Sequence, residues 1–443
     1  MLQFVFYTNS VSAHQLPLAR EIVARVGAEN YRYVYTGERL QGGGQEVAEC
    51  ESWIVQTSDA RCEEWLENCE VLLCDVRDID LIERRAAKGL RTFYVSERWF
   101  KPIEIKVERK GGGGQWCFHL PGRLRMLVPG YRRMAKRFVK WLKTDPKARY
   151  LAVGPWAKKD MMWMGVPDEK IVDWGYFVEK GLGVRGQELE GEVRVNSSSS
   201  REEVRVDSSR EEMFECSECS NVRMRDDQVG SLSSSNNQTI EQSNNRTIEH
   251  PIRVLWVGRM LDWKRVDTIV RAAAMANVKL ENGVGEERGV RSKGLGVRFQ
   301  LTLVGEGPEK AKILRIAEKL QKKLNTPLST STSFLHLLPP VPIAEVRNLM
   351  REHDIYVLAS NAQEGWGAAL NEALEEGMIG LGTHEAGASA ALLPESQRFH
   401  AGDFDALARL LGKAYAGELR PTGMPVDYTA AGAAERLMVY VAD

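Results

Sequence analysis

The sequence predicts an α/β protein with two Rossmann-like domains that face a central cleft. Strand-like runs alternate with helix-like segments over the first 154 residues, and the same alternation starts again at Ile252. A chain of 443 residues is also too long for one ordinary hydrophobic core. Because parallel strands end along one edge of their sheet, we expect the ligand cleft at the carboxyl ends of the strands, between the domains.

The N-terminal half contains short runs of β-branched and aromatic residues. The predicted strands are Phe4–Thr8, Tyr31–Thr36, Val71–Val76, Thr92–Ser96 and Tyr150–Gly154. Helical periodicity lies between several of them, at Pro17–Val26 and Leu81–Lys88. We assign residues 1–165 to an N-terminal domain and residues 166–186 to the interdomain connection.

The C-terminal half repeats this pattern. The predicted strands are Arg253–Val257, Gln300–Val304, Phe334–Leu338, Ile355–Ala359 and Ile379–Gly382. The predicted helices are Val266–Ala276, Glu309–Lys323, Ala344–Arg351 and Ala368–Gly377. We assign residues 251–415 to this second domain, and we expect residues 416–443 to form a helix that packs back toward the N-terminal domain.

Residues 187–250 differ from both halves. They are rich in Ser, Asn, Glu and Arg and contain two near-duplications, Val193–Glu203 with Val204–Glu212 and Ser235–Gln242 with Ser243–His250. Such a tract cannot bury enough apolar surface to offset the entropy of ordering. It is predicted to be a disordered, low-complexity insert. Its Cys216 and Cys219 form a lone pair, and a zinc site needs four ligands, so we expect no zinc there.

Composition excludes several classes of function. The formal net charge of −1 gives no global field for nucleic acid, and no run of 18 apolar residues predicts a membrane-spanning helix. The first residues form a strand-like run without the basic start of a signal peptide. Seven irregularly spaced cysteines are typical of reduced thiols. We therefore expect a cytoplasmic protein.

The densest functional pattern extends from Ser360 to Gly377. It follows a predicted strand and leads into a helix, and Gly365 and Gly367 allow the backbone to approach a ligand closely. A helix N-terminus offers free N–H groups to a diphosphate. Glu364 in the loop and Glu372 in the helix can then accept hydrogen bonds from hydroxyl groups on either side, those of a sugar and a ribose.

A second pattern supplies positive charge. Gly258, Arg259 and Lys264 follow a predicted strand at the turn into the next helix. Each charge-assisted hydrogen bond to a phosphate contributes ~1.5–3 kcal/mol, so the two cations can stabilise a departing nucleoside diphosphate. The alternative is that both are solvated surface charges beside a core strand.

These patterns together resemble the donor domain of glycosyltransferase family 4, the glycosyl transferases group 1. The shared features, in the same order, are Gly258-Arg259 with Lys264, Val304–Pro308, Asp354–Ser360, and Glu364 followed eight positions later by Glu372. Members of this family are retaining enzymes with the two-domain GT-B fold. The resemblance covers about residues 252–393.

The resemblance implies specific roles. Arg259 and Lys264 would hold the donor diphosphate, Glu372 the ribose and Glu364 the transferred sugar. The other implied donor-binding residues are Gly258, Gly305, Ser360, Gly365, Trp366 and Gly367. The co-substrate would be a UDP- or GDP-sugar, with no cofactor and no metal. The sequence departs from the family pattern in two places. Arg265 stands where the family usually has glycine, and Met378-Ile379 stands shortly after Gly377, where the family usually has proline.

The N-terminal half offers weaker candidates. His14 follows the first predicted strand, where it can orient the acceptor or donor sugar as part of the catalytic set, or serve only in capping or packing. Ser96-Glu97-Arg98 ends another predicted strand and can meet the acceptor, although an exposed Glu–Arg pair is also common on surfaces.

A basic stretch lies at residues 123–143, with eight Lys and Arg residues and no acidic residue. Tyr131, Met134, Phe138, Trp141 and Leu142 are interleaved with them. This pattern is typical of a helix that binds an anionic membrane surface. It is equally typical of an outer helix that packs its apolar stripe on the sheet and shows its basic residues to water.

Two further patterns are interpreted as structural. Asp78-Ile-Asp80 resembles a metal-binding Asp-x-Asp motif, but it precedes a predicted helix, so Asp80 is expected to cap that helix. Gly111–Gly114 lacks the strand and helix that flank a phosphate loop and is expected to be a flexible loop.

The sequence thus predicts a retaining glycosyltransferase that acts on a saccharide or lipid-linked acceptor, in surface polysaccharide or glycolipid synthesis. It is expected in the cytoplasm, with the inner face of the plasma membrane as an additional site, and without nucleic acid partners. A nucleotide-sugar 2-epimerase of the same fold is one alternative. A non-catalytic nucleotide-sugar-binding subunit is the other.

Overall fold

The computed structural model describes residues 2–37, 51–108, 115–180, 251–281, 298–323 and 333–442. The predicted insert at 187–250, its cysteine pair and the glycine run 111–114 lie outside these residues. Within them the chain forms one large parallel sheet in each half, with helices between the strands. The predicted pair of Rossmann-like domains is confirmed.

In chain order the N-terminal strands are β1 (Phe4–Thr8), β2 (Tyr31–Tyr35), β3 (Ile54–Gln56), β4 (Val71–Cys74), β5 (Arg91–Ser96), β6 (Ile103–Glu108), β7 (Gln115–Leu120), β8 (Arg149–Val153) and β9 (Ile171–Trp174). Seven of them form a parallel sheet in the order β3-β2-β1-β4-β5-β8-β9. β6 and β7 form a separate antiparallel hairpin. The central strands are apolar along their length because helices cover both faces of the sheet.

Among the described residues, five helices accompany this sheet. They are α1 (Leu16–Val26), α2 (Cys62–Asn68), α3 (Ile79–Ala87), α4 (Pro129–Thr144) and α5 (Pro155–Trp163). The prediction that Asp80 caps α3 is wrong. The carboxylate of Asp78 accepts the Leu81 N–H at 2.9 Å and is the cap, whereas Asp80 pairs with Arg137 on α4.

The C-terminal strands are β10 (Ile252–Val257), β11 (Phe299–Val304), β12 (Leu335–Leu338), β13 (Ile355–Leu358), β14 (Ile379–Thr383) and β15 (Arg398–Phe399). They form one parallel sheet of six strands in the order β12-β11-β10-β13-β14-β15. The helices are α6 (Val266–Glu281), α7 (Lys310–Lys323), α8 (Ile343–Glu352), α9 (Ala369–Glu375), α10 (Gly387–Leu392), α11 (Phe404–Tyr415) and α12 (Ala430–Ala442).

One continuous core crosses the boundary between the two domains. It includes Val153 of the N-terminal sheet and Trp366 and Leu370 of the C-terminal domain, all buried. The last helix, α12, lies against α1 of the N-terminal domain and buries Ala434 and Leu437 there. The chain therefore crosses back to its first domain at α12, and this contact adds to the core that joins the two domains.

Candidate active site

The predicted donor residues converge at the carboxyl edge of the C-terminal sheet. Arg259 and Lys264 follow β10, Gly305 follows β11, and Ser360 and Glu364 follow β13. These three strands are neighbours in the sheet, so their loops meet at one edge.

Lys264 and Glu364 form an ion pair at this edge. The Lys264 ammonium contacts Oε2 of Glu364, and the Ser360 hydroxyl donates to the same oxygen at 2.9 Å. The backbone N–H of Asn361 donates to the Trp263 carbonyl at 2.8 Å and thereby fixes one loop against the other. The Lys264 and Glu364 side chains remain 22% and 14% exposed, so a ligand in the cleft can still reach them.

Arg259 lies on the same loop as Lys264 and is exposed. Its guanidinium makes no hydrogen bond or ion pair with any other residue that the structure describes. A cation without an acidic neighbour, next to a lysine held by one carboxylate, gives this edge of the sheet an affinity for anions.

The glycines of the site serve close backbone packing. Gly305 has φ +137°, and a Cβ on it would lie 1.9 Å from the Gly258 carbonyl oxygen, so the loops after β10 and β11 touch through their backbones. Gly367 has φ +102°, and a Cβ there would lie 2.6 Å from the Leu358 side chain. A side chain at Gly305 would push these two loops apart, and one at Gly367 would press against Leu358 of β13.

Glu97 of the N-terminal domain touches the donor loop. A Cβ on Gly365 would lie 1.9 Å from Oε2 of Glu97. The Glu97 carboxylate is held by the Lys101 ammonium and accepts the Tyr176 hydroxyl at 3.0 Å. Gly365 therefore makes room for a carboxylate from the opposite domain.

Arg98, the next residue, also crosses the cleft. Its guanidinium donates to the Ala362 carbonyl at 3.3 Å, and its nearest carboxylate is that of Asp160 at 4.0 Å. Glu97 and Arg98 thus do not form the ordinary surface pair considered as an alternative. Both belong to the contact between the domains.

His14 and Glu372 face each other across the cleft. The His14 Nδ1 atom lies 3.9 Å from Oε1 of Glu372, and the imidazole stacks on Tyr176 with ring centroids 6.4 Å apart. Burial lowers the pKa of His14 and raises the pKa of Glu372. The imidazole is therefore neutral at pH 7 and can exchange hydrogen bonds with a hydroxyl group.

The side chain of Trp366 lies in the core that joins the two domains. Its indole is fully buried, donates to Oδ1 of Asn371 at 2.8 Å and packs on Gly175 and Tyr428. Its side chain therefore has no surface to offer a donor and instead fixes the loop that carries Glu364.

Tyr176 is a site residue that no sequence motif marked. Its hydroxyl donates to Glu97, its ring stacks on His14, and its carbonyl accepts Nδ2 of Asn371 at 2.9 Å. Burial and then the carboxylates of Glu97, Asp75 and Glu364 raise its pKa. The only sequence signal was an aromatic residue in a segment assigned to the interdomain connection.

A pocket of about 650 Å³ opens at the carboxyl ends of β1, β4 and β5. Its basic side chains are Arg77, Arg98, Lys101 and Arg125, and its acidic side chains are Asp75 and Glu97. The Asp75 carboxylate accepts the Thr8 hydroxyl at 2.7 Å and the Gln15 amide at 3.2 Å, and burial raises its pKa to about 6.

The basic stretch divides into two parts. In α4 the apolar residues Phe138, Trp141 and Leu142 are buried against the N-terminal domain, as expected for an outer helix on a sheet. Ahead of α4, Leu127 and α4's N-cap Val128 are 78% and 56% exposed. Their exposed basic neighbours are Arg123, Arg132 and Arg133.

No helix among the described residues is long and apolar enough to cross a membrane. Within the same residues, no group of three or more His, Cys, Asp or Glu side chains is arranged to hold a metal ion. The prediction that no metal is required remains a prediction.

Comparisons with known proteins bear on the fold and on the C-terminal domain. Residues 237–424 match the model of a family described as glycosyl transferases group 1. A search of curated proteins finds no match.

Solved structures match nearly the whole chain. HepE of Anabaena in complex with UDP is 10% identical, with 98% of this chain and 94% of that chain covered and a TM-score of 0.51. The lipopolysaccharide outer core galactosyltransferase WaaB is 13% identical, with 99% and 97% covered and a TM-score of 0.51. A glycosyltransferase from Rickettsia africae is 12% identical, with 100% and 93% covered and a TM-score of 0.50. The likeness confirms the predicted GT-B fold.

Proposed function

We propose that this chain, a glycosyltransferase whose C-terminal domain belongs to the glycosyl transferases group 1, moves a sugar from a nucleoside-diphosphate sugar to a saccharide or lipid-linked acceptor with retention of configuration. The observation that carries the proposal is the convergence of Arg259 and Lys264 with Glu364 and Glu372 at one edge of the donor domain. Surface polysaccharide or glycolipid synthesis is the setting we propose.

The donor diphosphate would bind at Arg259 and Lys264. Arg259 has an uncommitted guanidinium, and the Lys264 ammonium has three N–H donors, so it can keep one for Glu364 while it turns the others toward phosphate. Two charge-assisted contacts of ~1.5–3 kcal/mol each would supply much of a micromolar affinity, which corresponds to about −8 kcal/mol. The complexes of Anabaena HepE with UDP, and with UDP and glucose, favour UDP over GDP as the nucleotide.

The two glutamates would hold the hydroxyl groups on either side of the diphosphate. Glu364 lies in contact with Lys264, so it would accept hydrogen bonds from the sugar next to the diphosphate. Glu372 lies in α9 with a mostly buried carboxylate and would accept the ribose hydroxyls. His14, neutral and 3.9 Å from Glu372, would add a hydrogen bond from the opposite domain.

The transfer step needs electrostatic stabilisation at the leaving group. The bond between the anomeric carbon and the diphosphate oxygen breaks, and its electron pair stays on the diphosphate. The acceptor oxygen bonds to the same face of the anomeric carbon and gives its proton to the departing phosphate oxygen. Arg259 and Lys264 stabilise the charge that collects there, and the closed cleft excludes water.

The two cations Arg259 and Lys264 supply the positive charge, so we propose that the reaction needs no metal ion. Equal activity in EDTA and in Mg²⁺ is the expected result, and activity lost in EDTA and restored by Mg²⁺ would contradict this part of the proposal.

We further propose that Leu127 and Val128 insert into an anionic membrane surface, on its cytoplasmic side, with the basic residues around them facing the lipid headgroups. Large exposed apolar side chains beside arginines are typical of interfacial segments. Co-sedimentation with anionic vesicles at low salt should be lost in Leu127→Ser/Val128→Ser and kept in Val426→Ser, which changes an equally exposed residue elsewhere. Failure of the wild type to bind such vesicles would end this part of the proposal.

A thermal-shift screen of UDP-, GDP- and ADP-sugars tests the donor proposal. A shift that disappears in Lys264→Ala is expected, and the absence of any shift would contradict it. Product analysis with donor alone then separates the alternatives. Quantitative formation of an epimer would identify a 2-epimerase, whereas binding without turnover toward any acceptor would identify a binding subunit.

A further inference from the structure

We infer that the pocket of the N-terminal domain binds an acceptor that carries an anionic group, a phosphate or a carboxylate. This inference rests on the proposed transferase function, because it assigns that pocket to the acceptor. The pocket has four basic side chains against two acidic ones, so it keeps an excess of positive charge even when both carboxylates are ionised.

Two of these cations are not neutralised. Arg77 lies over the ring of Trp99, 5.0 Å from its centroid, and Arg125 donates to the Lys101 carbonyl. Among the described residues neither guanidinium has an acidic partner within ion-pair distance, in contrast to Lys101, which holds Glu97. A guanidinium fork matches the geometry of phosphate and carboxylate, and two of them lining one pocket favour an oxyanion over a neutral sugar.

The pocket also suits a sugar. Its volume of about 650 Å³ lies within the range of ~300–1,000 Å³ that is usual for small-molecule sites. The partly exposed rings of Tyr131 and Tyr176 provide apolar walls.

The pocket adjoins the donor site. Glu97 lines the pocket and lies against Gly365 of the donor loop. Tyr176 lines it as well and stacks on His14, which faces Glu372. An acceptor held by its anionic group at Arg77 and Arg125 would therefore extend its reacting hydroxyl toward the sugar beside Glu364.

Calorimetric titration tests the inference. The full chain is saturated with UDP and then titrated with inorganic phosphate, acetate or methyl α-glucoside. Phosphate or acetate should bind, and the affinity should fall at least tenfold in Arg77→Gln/Arg125→Gln. The matched control Arg409→Gln/Arg420→Gln, two exposed arginines outside the pocket, should change it less than twofold. Arg77→Lys/Arg125→Lys, which keeps the charge, should restore part of the affinity. The phosphate and acetate arms identify which oxyanion the pocket prefers.

No binding of either anion to the wild type, or equal losses in the two glutamine pairs, would overturn the inference. Its failure is distinguishable from failure of the donor proposal, which would appear as no binding of UDP itself. The titration is then repeated in Lys264→Ala, where the donor cations are impaired. Anion binding that persists there and disappears in Arg77→Gln/Arg125→Gln belongs to the N-terminal pocket, and binding abolished by Lys264→Ala alone would contradict the assignment.

Discussion

The contact between Glu97 and Gly365 joins the two domains at the cleft, and replacing Gly365 with alanine should break it. The new Cβ would lie 1.9 Å from Oε2 of Glu97, whereas ordinary contacts begin at 3.4 Å, so the carboxylate must retreat by about 1.5 Å or the domains must separate. Either movement weakens the hydrogen bond from Tyr176 and the ion pair with Lys101.

The size of this effect follows from those two partners. The Lys101 and Glu97 side chains are 34% and 28% exposed, so water screens their ion pair, which contributes at most ~1 kcal/mol. The hydrogen bond from the Tyr176 hydroxyl to the Glu97 carboxylate contributes ~1.5–3 kcal/mol. Gly365→Ala should therefore lower the free energy of unfolding by about 1–3 kcal/mol and also weaken donor binding, since Gly365 belongs to the loop that carries Glu364.

A double-mutant cycle with urea denaturation measures this contact. In a Glu97→Ala background the carboxylate is absent, so Gly365→Ala should cost less than ~0.5 kcal/mol. Gly412→Ala is the matched control, because Gly412 lies in α11 with open space at its Cβ and the substitution should stabilise by ~0.5–1 kcal/mol. An equal cost of Gly365→Ala with and without Glu97 would refute the domain arrangement described above.

Three further substitutions test other parts of the structure. Arg265 has φ +50° and ψ +40°, so Arg265→Gly should unfold at higher urea than Arg265→Ala, by ~1 kcal/mol, and equal stability would contradict a strained backbone there. Burial raises the pKa of Asp75 to about 6, so the stability provided by its protonated form is lost as pH rises from about 4 to 6. In urea denaturation at pH 8, Asp75→Asn should therefore be more stable than the wild type by ~1–3 kcal/mol. This gain should vanish toward pH 4, where the carboxyl group of the wild type is protonated. Trp366→Phe should lower the free energy of unfolding by ~2–4 kcal/mol, because it leaves a void and an unpaired Asn371 oxygen. Trp163 has an exposed side chain, so Trp163→Phe should change the free energy of unfolding by less than ~0.5 kcal/mol in the same assay.

The donor side could be predicted because its signals are local. The segment Ser360–Gly377 carries its glycines, Glu364 and Glu372 on one loop and the helix that follows it, so their positions follow from sequence spacing alone. Arg259 and Lys264 lie on one loop in the same way. What spacing could not reveal is that Lys264 and Glu364, 100 positions apart, form an ion pair.

The two departures from the family pattern also acquire a physical meaning. The backbone at Arg265 keeps the left-handed conformation that a glycine would adopt, so the substitution adds strain without changing the loop. Met378 is fully buried, which shows that this position is part of the core. Neither departure touches the proposed donor contacts.

The N-terminal side could not be predicted because topology assembles it. His14, Asp75, Glu97 and Tyr176 come from four separate segments, and no motif connects them. The burial of the Trp366 indole has the same cause, since Gly175 and Tyr428, which pack against it, are about 190 and 60 positions away in the chain. Periodicity likewise identified α4 but could not locate the exposed Leu127 ahead of it.

The donor site is tested most directly by calorimetric titration of the wild type, Lys264→Ala and Lys312→Ala with UDP-glucose. Lys312 pairs with Glu309 on the outer surface of the same domain and serves as the matched control. Loss of one charge-assisted contact of ~1.5–3 kcal/mol should weaken binding about 10- to 150-fold in Lys264→Ala and leave Lys312→Ala within twofold of the wild type. Wild-type binding that is unchanged in Lys264→Ala would contradict the assignment of this edge of the sheet to the donor diphosphate.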